Sequence, residues 1–254
     1  MGETPRVDGY DETTYGQRFA DVYDDWYGDI TDTDACVDVV SALADGGRVL
    51  ELGVGTGRLA LPLAERGLYV CGVDSSEAML DALAAKPGGE RVRTVLGDMS
   101  EPVGSEAPFD VVLVAYNTLF NLVAAGAQSR CLESAAAQLA RGGCLVVEAF
   151  VPDPDAPPTD SVVPKEVGAD KVVLSVSRSD PRRQEVQGQY VELTESGGVK
   201  LRPWHIRWST PDQLDEMASR VGLSLHRRWS GWDRSEFTDE SSTHVSVYRT
   251  GGEP

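Results

Sequence analysis

An α/β fold around a buried, mostly parallel sheet, carrying an antiparallel β insertion, is what this sequence predicts. Three observations predict it. From residue 48 onward, short apolar runs alternate with stretches of helical periodicity, the pattern of successive βαβ units. A glycine-rich turn, Gly53-Val54-Gly55-Thr56-Gly57, stands where the first of these runs gives way to a helix. Beyond Phe150 and a loop rich in Pro and Asp over 151–160, the period drops to two across three consecutive segments.

In chain order, residues 1–14 are polar, have little to bury and read as a mobile tail. Tyr15, Phe19, Val22, Tyr23 and Trp26 then recur at three and four, which predicts one aromatic face on a helix over 15–26. A second helix over 34–44 has cap-type Thr and Asp ahead of it and Gly46-Gly47 behind it. Strands are predicted at 48–52, 68–73, 91–96, 109–115 and 144–150, with helices at 58–66, 76–85 and 127–140 between them. The last of these helices is closed by Arg141-Gly142-Gly143. The insertion supplies strands at 171–179, 185–193 and 199–208, divided by Ser179-Asp180-Pro181 and Gly197-Gly198, and reads as an antiparallel meander. A helix over 211–221, capped by Thr210, and strands at 223–229 and 243–250 complete the chain.

With 254 residues the chain can bury one substantial core plus an insertion, and a second core is not expected. The net charge of −18 repels a phosphate backbone, so neither nucleic acid nor an anionic membrane is the expected partner; a small molecule is. Cys36, Cys71, Cys131 and Cys144 lie far apart without a CxxC pair and read as small buried hydrophobes in a reducing compartment. No apolar run approaches the roughly 20 residues of a membrane span, and a cytoplasmic location is expected. No His, Cys and carboxylate cluster has metal spacing, so no metal is expected. Monomer and homodimer both stay open.

The chemistry is concentrated in 49–57. Alternating glycines remove Cβ atoms where backbone must approach a ligand, and the helix that follows offers unpaired N–H groups to a negative group, a pyrophosphate or an amino acid carboxylate. A dinucleotide fingerprint requires Gly-x-Gly-x-x-Gly, yet Gly55 is followed two places on by Gly57 and then by Arg58. Asp74, after the second strand, can accept both hydroxyls of an adenosine ribose; Asp98, in Gly97-Asp98-Met99 after the third, can reach an adenine amino group. Met79 can lie against the purine or simply pack in the core.

Glu51-Leu52-Gly53-Val54-Gly55-Thr56-Gly57, Val73-Asp74-Ser75-Ser76, Gly97-Asp98-Met99 and Phe109-Asp110-Val111-Val112 together resemble the successive motifs of the class I S-adenosylmethionine (SAM)-dependent methyltransferases. That resemblance implies a seven-stranded Rossmann-like sheet with an antiparallel last strand and helices on both faces. It also implies SAM as cofactor, S-adenosylhomocysteine as product, and the activity of a methyltransferase. Within the first motif it puts Glu51, Gly53, Gly55 and Gly57 at the cofactor, the glycines against its methionine portion. Asp74 falls on the ribose, Ser75, Met79, Asp98 and Met99 around the adenine, and Ala115 beside the cofactor's amino group. It implies that Tyr116, Asn117 and Phe120, after the fourth strand, face the substrate. Tyr116-Asn117-Thr118-Leu119 has no prolines, unlike the Asn-Pro-Pro-Tyr group that methylates DNA amino groups.

The opening Tyr10-Asp11 and the aromatic helix resemble the bacterial secondary-metabolite branch that includes antibiotic amino-sugar and peptide N-methyltransferases. In that branch the segment folds over the cofactor. By that likeness Tyr15 and Arg18 join the cofactor set, Tyr23 the methyl-transfer site and Tyr27 the substrate side; the same aromatics also read as a plain amphipathic face. Four regions are therefore expected: a lid over 1–33, the cofactor core over 34–150, a substrate-covering insertion over 151–208, and the final helix and two strands over 209–254.

Transfer needs the acceptor lone pair, methyl carbon and departing sulfur in line, and a hydroxyl acceptor gains from a base where an amine needs only to be unprotonated. Of three histidines His205 is the best base candidate, although alternation puts it opposite Trp204 and Ile206 on its strand. Tyr23 and Asn117 are the other catalytic candidates, and Trp204 and Trp208 are expected against substrate. The insertion's Arg178, Arg182, Arg183, Arg202 and Arg207 fit either an anionic ligand or a charged outer sheet face. The reading favours transfer to an amino nitrogen of a small natural product or its precursor; a hydroxyl or carboxylate oxygen, or a non-catalytic SAM-binding protein, are the alternatives.

Overall fold

The computed structural model describes Tyr10 and residues 13–28, 32–106 and 108–250, so most of the 1–14 tail, Asp11 of the Tyr-Asp pair and part of the expected lid lie outside the described residues. The expected aromatic helix is two short ones, α1 (Thr14–Phe19) and α2 (Tyr23–Tyr27), joined by a turn that carries Asp21. Helix α3 (Thr33–Ala44) starts where the Asp32 carboxylate accepts the Ala35 N–H at 2.9 Å and stops as Asp45 and Gly46 go left-handed.

The alternating core follows as β1 (Arg48–Leu52), α4 (Ala60–Glu65), β2 (Tyr69–Asp74), α5 (Glu77–Ala84), β3 (Val92–Leu96), β4 (Phe109–Val114), α6 (Ala127–Gln138) and β5 (Leu139–Phe150). The insertion is β6 (Thr159–Val167), β7 (Lys171–Asp180), β8 (Glu185–Thr194) and β9 (Val199–Arg207), and the chain ends with α7 (Pro211–Arg220), β10 (Leu223–Trp229) and β11 (Thr243–Thr250). Thr210 and Gln213 form a capping box at α7, with Pro211 at its first position.

Seven strands form one sheet in the order β10-β11-β5-β4-β1-β2-β3, and β11 runs antiparallel to both neighbours. The order reverses between β1 and β4, which opens a crevice at their carboxyl ends. Successive strand residues feed opposite faces: Val49, Val111, Val146 and Val247 pack with α3 and α4, whereas Leu50, Val112, Leu145 and Tyr248 pack with α6 and α7. Burial on both faces is why these strands read as continuous apolar runs rather than alternating ones. Among the described residues no helix is long and apolar enough to cross a membrane.

The insertion is a separate four-stranded antiparallel sheet, β6-β7-β8-β9. Its first strand is a correction to the expected loop and three-stranded meander. β6 contains Pro164, lies at the edge and breaks register between Pro164 and Glu166, the places where proline is tolerated in a sheet and where period-two patterning is weakest.

Candidate functional site

One cleft opens at the carboxyl ends of β1, β2, β3 and β4, floored by the loops after them and roofed by α1, α2 and the inner face of β8 and β9. The glycine turn forms its deepest wall. Gly53 (φ 73°) and Gly55 (φ 55°) both line it in left-handed conformations that side chains resist. A Cβ on Gly53 would overlap the Thr118 side chain, while one on Gly55 would stand in open space with the Tyr23 ring nearest at 3.9 Å. At Gly55 the bare backbone faces the cleft, while at Gly53 the missing Cβ makes room for Thr118.

The Asp74 carboxylate closes the next side. One oxygen accepts the Gly55 N–H at 2.8 Å and the other the Ser76 N–H at 2.9 Å, so the acid locks the glycine turn to β2 and keeps lone pairs toward the cleft. Burial nonetheless pushes its pKa up, against those backbone N–H groups. Ser75, Met79, Asp98 and Met99 also line the cleft, and Asp98 accepts the Ser100 N–H at 2.8 Å in a turn that fixes it after β3. Two glycine positions and the Asp74 and Asp98 carboxylates thus line one cleft at the carboxyl ends of the strands.

The outer half is aromatic. Tyr15, Tyr23, Tyr27, Tyr116, Tyr190 and Trp204 all line it. Burial raises the pKa of Tyr15, Tyr23, Tyr27 and Tyr116, that of Tyr23 to about 12 despite Arg58 nearby, so these hydroxyls stay protonated and neutral. Trp204 is seated by Gly188, its register partner on β8, where a Cβ would come within 2.6 Å of the indole. Tyr116 (φ 43°) and Asn117 (φ 62°) are consecutive left-handed residues, held by the Tyr116 N–H to Glu148 Oε2 at 2.8 Å, the Asn117 N–H to the Glu148 carbonyl at 3.0 Å, and the Phe150 N–H to Asn117 Oδ1 at 2.7 Å. Asn117 lines the cleft, but its amide oxygen is committed to this turn.

Several expected residues lie off the cleft surface, and each has another use. His205 sits on the face of β9 opposite Trp204 and Ile206, with Nε2 3.7 Å from Glu185, its backbone N–H donating to the Tyr10 hydroxyl at 3.3 Å and the Tyr10 ring against it. The side chain expected to act as base is therefore not among those that line the cleft. Arg18 is exposed on the outer side of α1, where its carbonyl accepts from Arg202. Glu51 lies buried behind the glycine turn, reaching the Ala60 N–H, and burial pushes its pKa up to about 8 although Arg58 opposes the shift. Gly57 permits close packing, a Cβ coming within 2.8 Å of Leu83. Ala115 belongs to the core, its carbonyl accepting the Thr118 N–H; Phe120 packs edge-on against Phe150; and Trp208 is buried with its backbone N–H on the Gln184 carbonyl.

The cleft also takes in residues that the sequence reading passed over: Gly16, Thr118, Asn121, Leu122, Phe150 and Ile206. Gly16 had a signal, being a glycine inside an aromatic helix; a Cβ there would overlap Ser76, so its absence lets α1 lie directly on the start of α5.

The α1–α2 segment is fastened on two sides. Asp24 of α2 accepts the Thr56 hydroxyl at 2.6 Å and pairs with Lys86 at 2.7 Å, which ties α2 to the glycine turn. Asp21 accepts from both terminal nitrogens of the buried Arg202 guanidinium, at 2.5 and 3.0 Å, and Glu192 accepts from Nη2 as well at 3.3 Å, which ties the same segment to the insertion.

Comparison with known proteins agrees with this geometry. A family described as a methyltransferase domain matches residues 49–143. The solved CcbJ methyltransferase from Streptomyces caelestis is 41% identical, with TM-score 0.89 over 96% of this chain and 100% of that one. A cypemycin N-terminal methyltransferase from Streptomyces sp is 29% identical over 71% of this chain and 74% of its own length. SAM-bound CalS10, an amino pentose methyltransferase from Micromonospora echinaspora, shares the fold at TM-score 0.63 and 22% identity, over 86% of this chain and 90% of that one.

Proposed function

Since the chain belongs to the SAM-dependent methyltransferases, we propose that it moves the methyl group onto an unprotonated amino nitrogen of a small natural product or its precursor. The observation that carries this reading is the makeup of the cleft: six aromatic rings around its outer half, Asp74 and Asp98 as the charged residues among those lining it, and no His, Lys or Cys there among the described residues. The likeness to a relative named for methylating a peptide N-terminus supports the same choice of atom.

Bound SAM supplies a methyl carbon already activated by a sulfonium. In this reading Gly53 and Gly55 admit its methionine portion, Asp74 holds the ribose hydroxyls, and Ser75, Met79, Asp98 and Met99 flank the adenine. Tyr23, Tyr27, Tyr116 and Trp204 then surround the acceptor, with Tyr15 and Asn117 at its margins. Methyl transfer to nitrogen would carry the positive charge from sulfur onto the acceptor, among these rings. Neutral aromatic faces stabilise that charge at both ends of the path. Phenols held protonated make poor bases, and desolvation in such a site favours the unprotonated amine, so an amine can react here without a base. The expected lid and the insertion exclude water and hold the acceptor in line.

The test is to incubate purified protein with SAM and a panel of small amines and matching alcohols, and to locate the added methyl by tandem mass spectrometry. Methylated nitrogen is expected; methyl ethers or esters as the main products would overturn the choice of atom.

A further inference from the structure

We propose that Lys165 is the acceptor's anion contact, and that the cleft takes an amine carrying a carboxylate or phosphate group a few bonds from the nitrogen. This rests on the amine reading above and adds the class of acceptor. Three observations carry it.

The first is position. The Lys165 Nζ stands 5.0 Å from the centre of the Trp26 ring and 5.5 Å from those of Tyr27 and Tyr190, and Tyr27 and Tyr190 both line the cleft. The ammonium is thus held over the mouth of the aromatic half. The second is how it gets there. Pro164 pairs with Leu174 and Glu166 with Val173, which leaves Lys165 as the extra residue of a β-bulge in β6. A bulge turns one side chain out of the regular alternation, and here it turns this one onto the rings of the lid and β8.

The third is charge. The insertion holds eight basic residues, and six of them (Lys171, Arg178, Arg183, Lys200, Arg202 and Arg207) lie within 4.0 Å of a carboxylate. The arginines that made an anionic ligand plausible from sequence are therefore mostly neutralised where they stand. Among the described residues Lys165 has no such carboxylate, and it is exposed. In a chain of net charge −18, a cation that is parked on aromatic faces rather than on an acid stays available to a negative group arriving from solvent. Rings hold the ammonium in place without cancelling its charge, so an acceptor's carboxylate or phosphate meets a positioned partner just outside the transfer site.

Calorimetric titration of the protein saturated with S-adenosylhomocysteine tests this, using 4-(aminomethyl)benzoate, 4-(aminomethyl)phenyl phosphate and the uncharged 4-(aminomethyl)benzamide. The charged probes are expected to bind about fivefold more tightly than the amide, as for one partly exposed ion pair, and their order says which anion the site prefers. Lys165→Met should erase the difference, Lys165→Arg should keep it and Lys165→Glu should invert it. Equal binding of all three probes, failure of the charged probes to bind, or a preference that survives in Lys165→Met would overturn the proposal. Turnover of 4-(aminomethyl)benzoate with SAM separates the two readings. N-methylation without any charge preference removes Lys165 alone, whereas a methyl ester product removes the amine reading.

Discussion

Two carboxylates in the glycine-turn region have opposite fates, set by what surrounds them. Asp74 faces the cleft with backbone N–H groups on both oxygens; Glu51, one strand over, is enclosed behind the turn. Asp74→Ala removes both the proposed anchor for ribose hydroxyls and the brace on Gly55, and should weaken SAM binding by about 1–3 kcal/mol in a calorimetric titration; unchanged affinity would remove the ribose assignment. Glu51 has a folded-state pKa of about 8, above its unfolded value, so its share of stability is complete below the unfolded pKa and is lost as pH rises through 8. Glu51→Gln should therefore raise the melting temperature more at pH 8 than at pH 5, by about 2–4 °C for each kcal/mol of penalty removed. An equal shift at both pH values would mean the carboxyl ionises no differently on folding. At this scale the sequence was informative wherever a motif fixed the backbone, as at Gly53, Gly55, Asp74 and Asp98. It was silent on orientation: His205 and Trp204 are neighbours, and only the strand's place over the cleft decides which of them faces the acceptor.

β1, β10 and β11 fall where the periodicity puts them, whereas α6 ends at Gln138 and β5 runs from Leu139 through the Arg141-Gly142-Gly143 expected to close the helix. The lid and the insertion were harder because their order comes from contacts far apart in the chain. Nothing local says that 15–26 breaks after Phe19; the break presents Asp21 to Arg202, some 180 residues away in sequence. β6 was hidden by its proline and its bulge. The same long-range contacts yield tests of the lid. Gly16→Val would put a side chain into Ser76, lift α1 from α5 and raise the KM for SAM, with the fold of the core left intact by circular dichroism. Arg202→Met leaves Asp21 and Glu192 without their shared cation and should cost about 1–3 kcal/mol in urea unfolding. It should also speed cleavage between α1 and α2 in limited proteolysis; a cleavage rate equal to wild type would mean that Arg202 does not hold the lid.

The molecule as a whole is a rigid doubly-faced sheet with a two-part roof, and the roof is joined to the floor through the cofactor site as well as around it. Asp24 binds the glycine turn at Thr56, while Asp21, three residues earlier, binds the insertion. A ligand seated between Gly55, Asp74 and Met79 touches the floor and, through Tyr15, Gly16 and Tyr23, the underside of the lid. Its binding free energy is then available to the lid, the sheet and the insertion together rather than to one loop. At a hundredfold excess over Kd, S-adenosylhomocysteine should add about 2.7 kcal/mol to the folded state. For a chain of this size that raises the melting temperature by about 5–10 °C in a thermal-shift measurement. The increment should persist in Lys165→Met, whose side chain stands outside the cofactor half, and shrink in Asp74→Ala. It should also shrink in Arg202→Met, since a lid freed from the insertion no longer shares the gain. An Arg202→Met protein that keeps the full increment would show that roof and cofactor are energetically separate, and that water exclusion in this enzyme depends on the acceptor rather than on SAM.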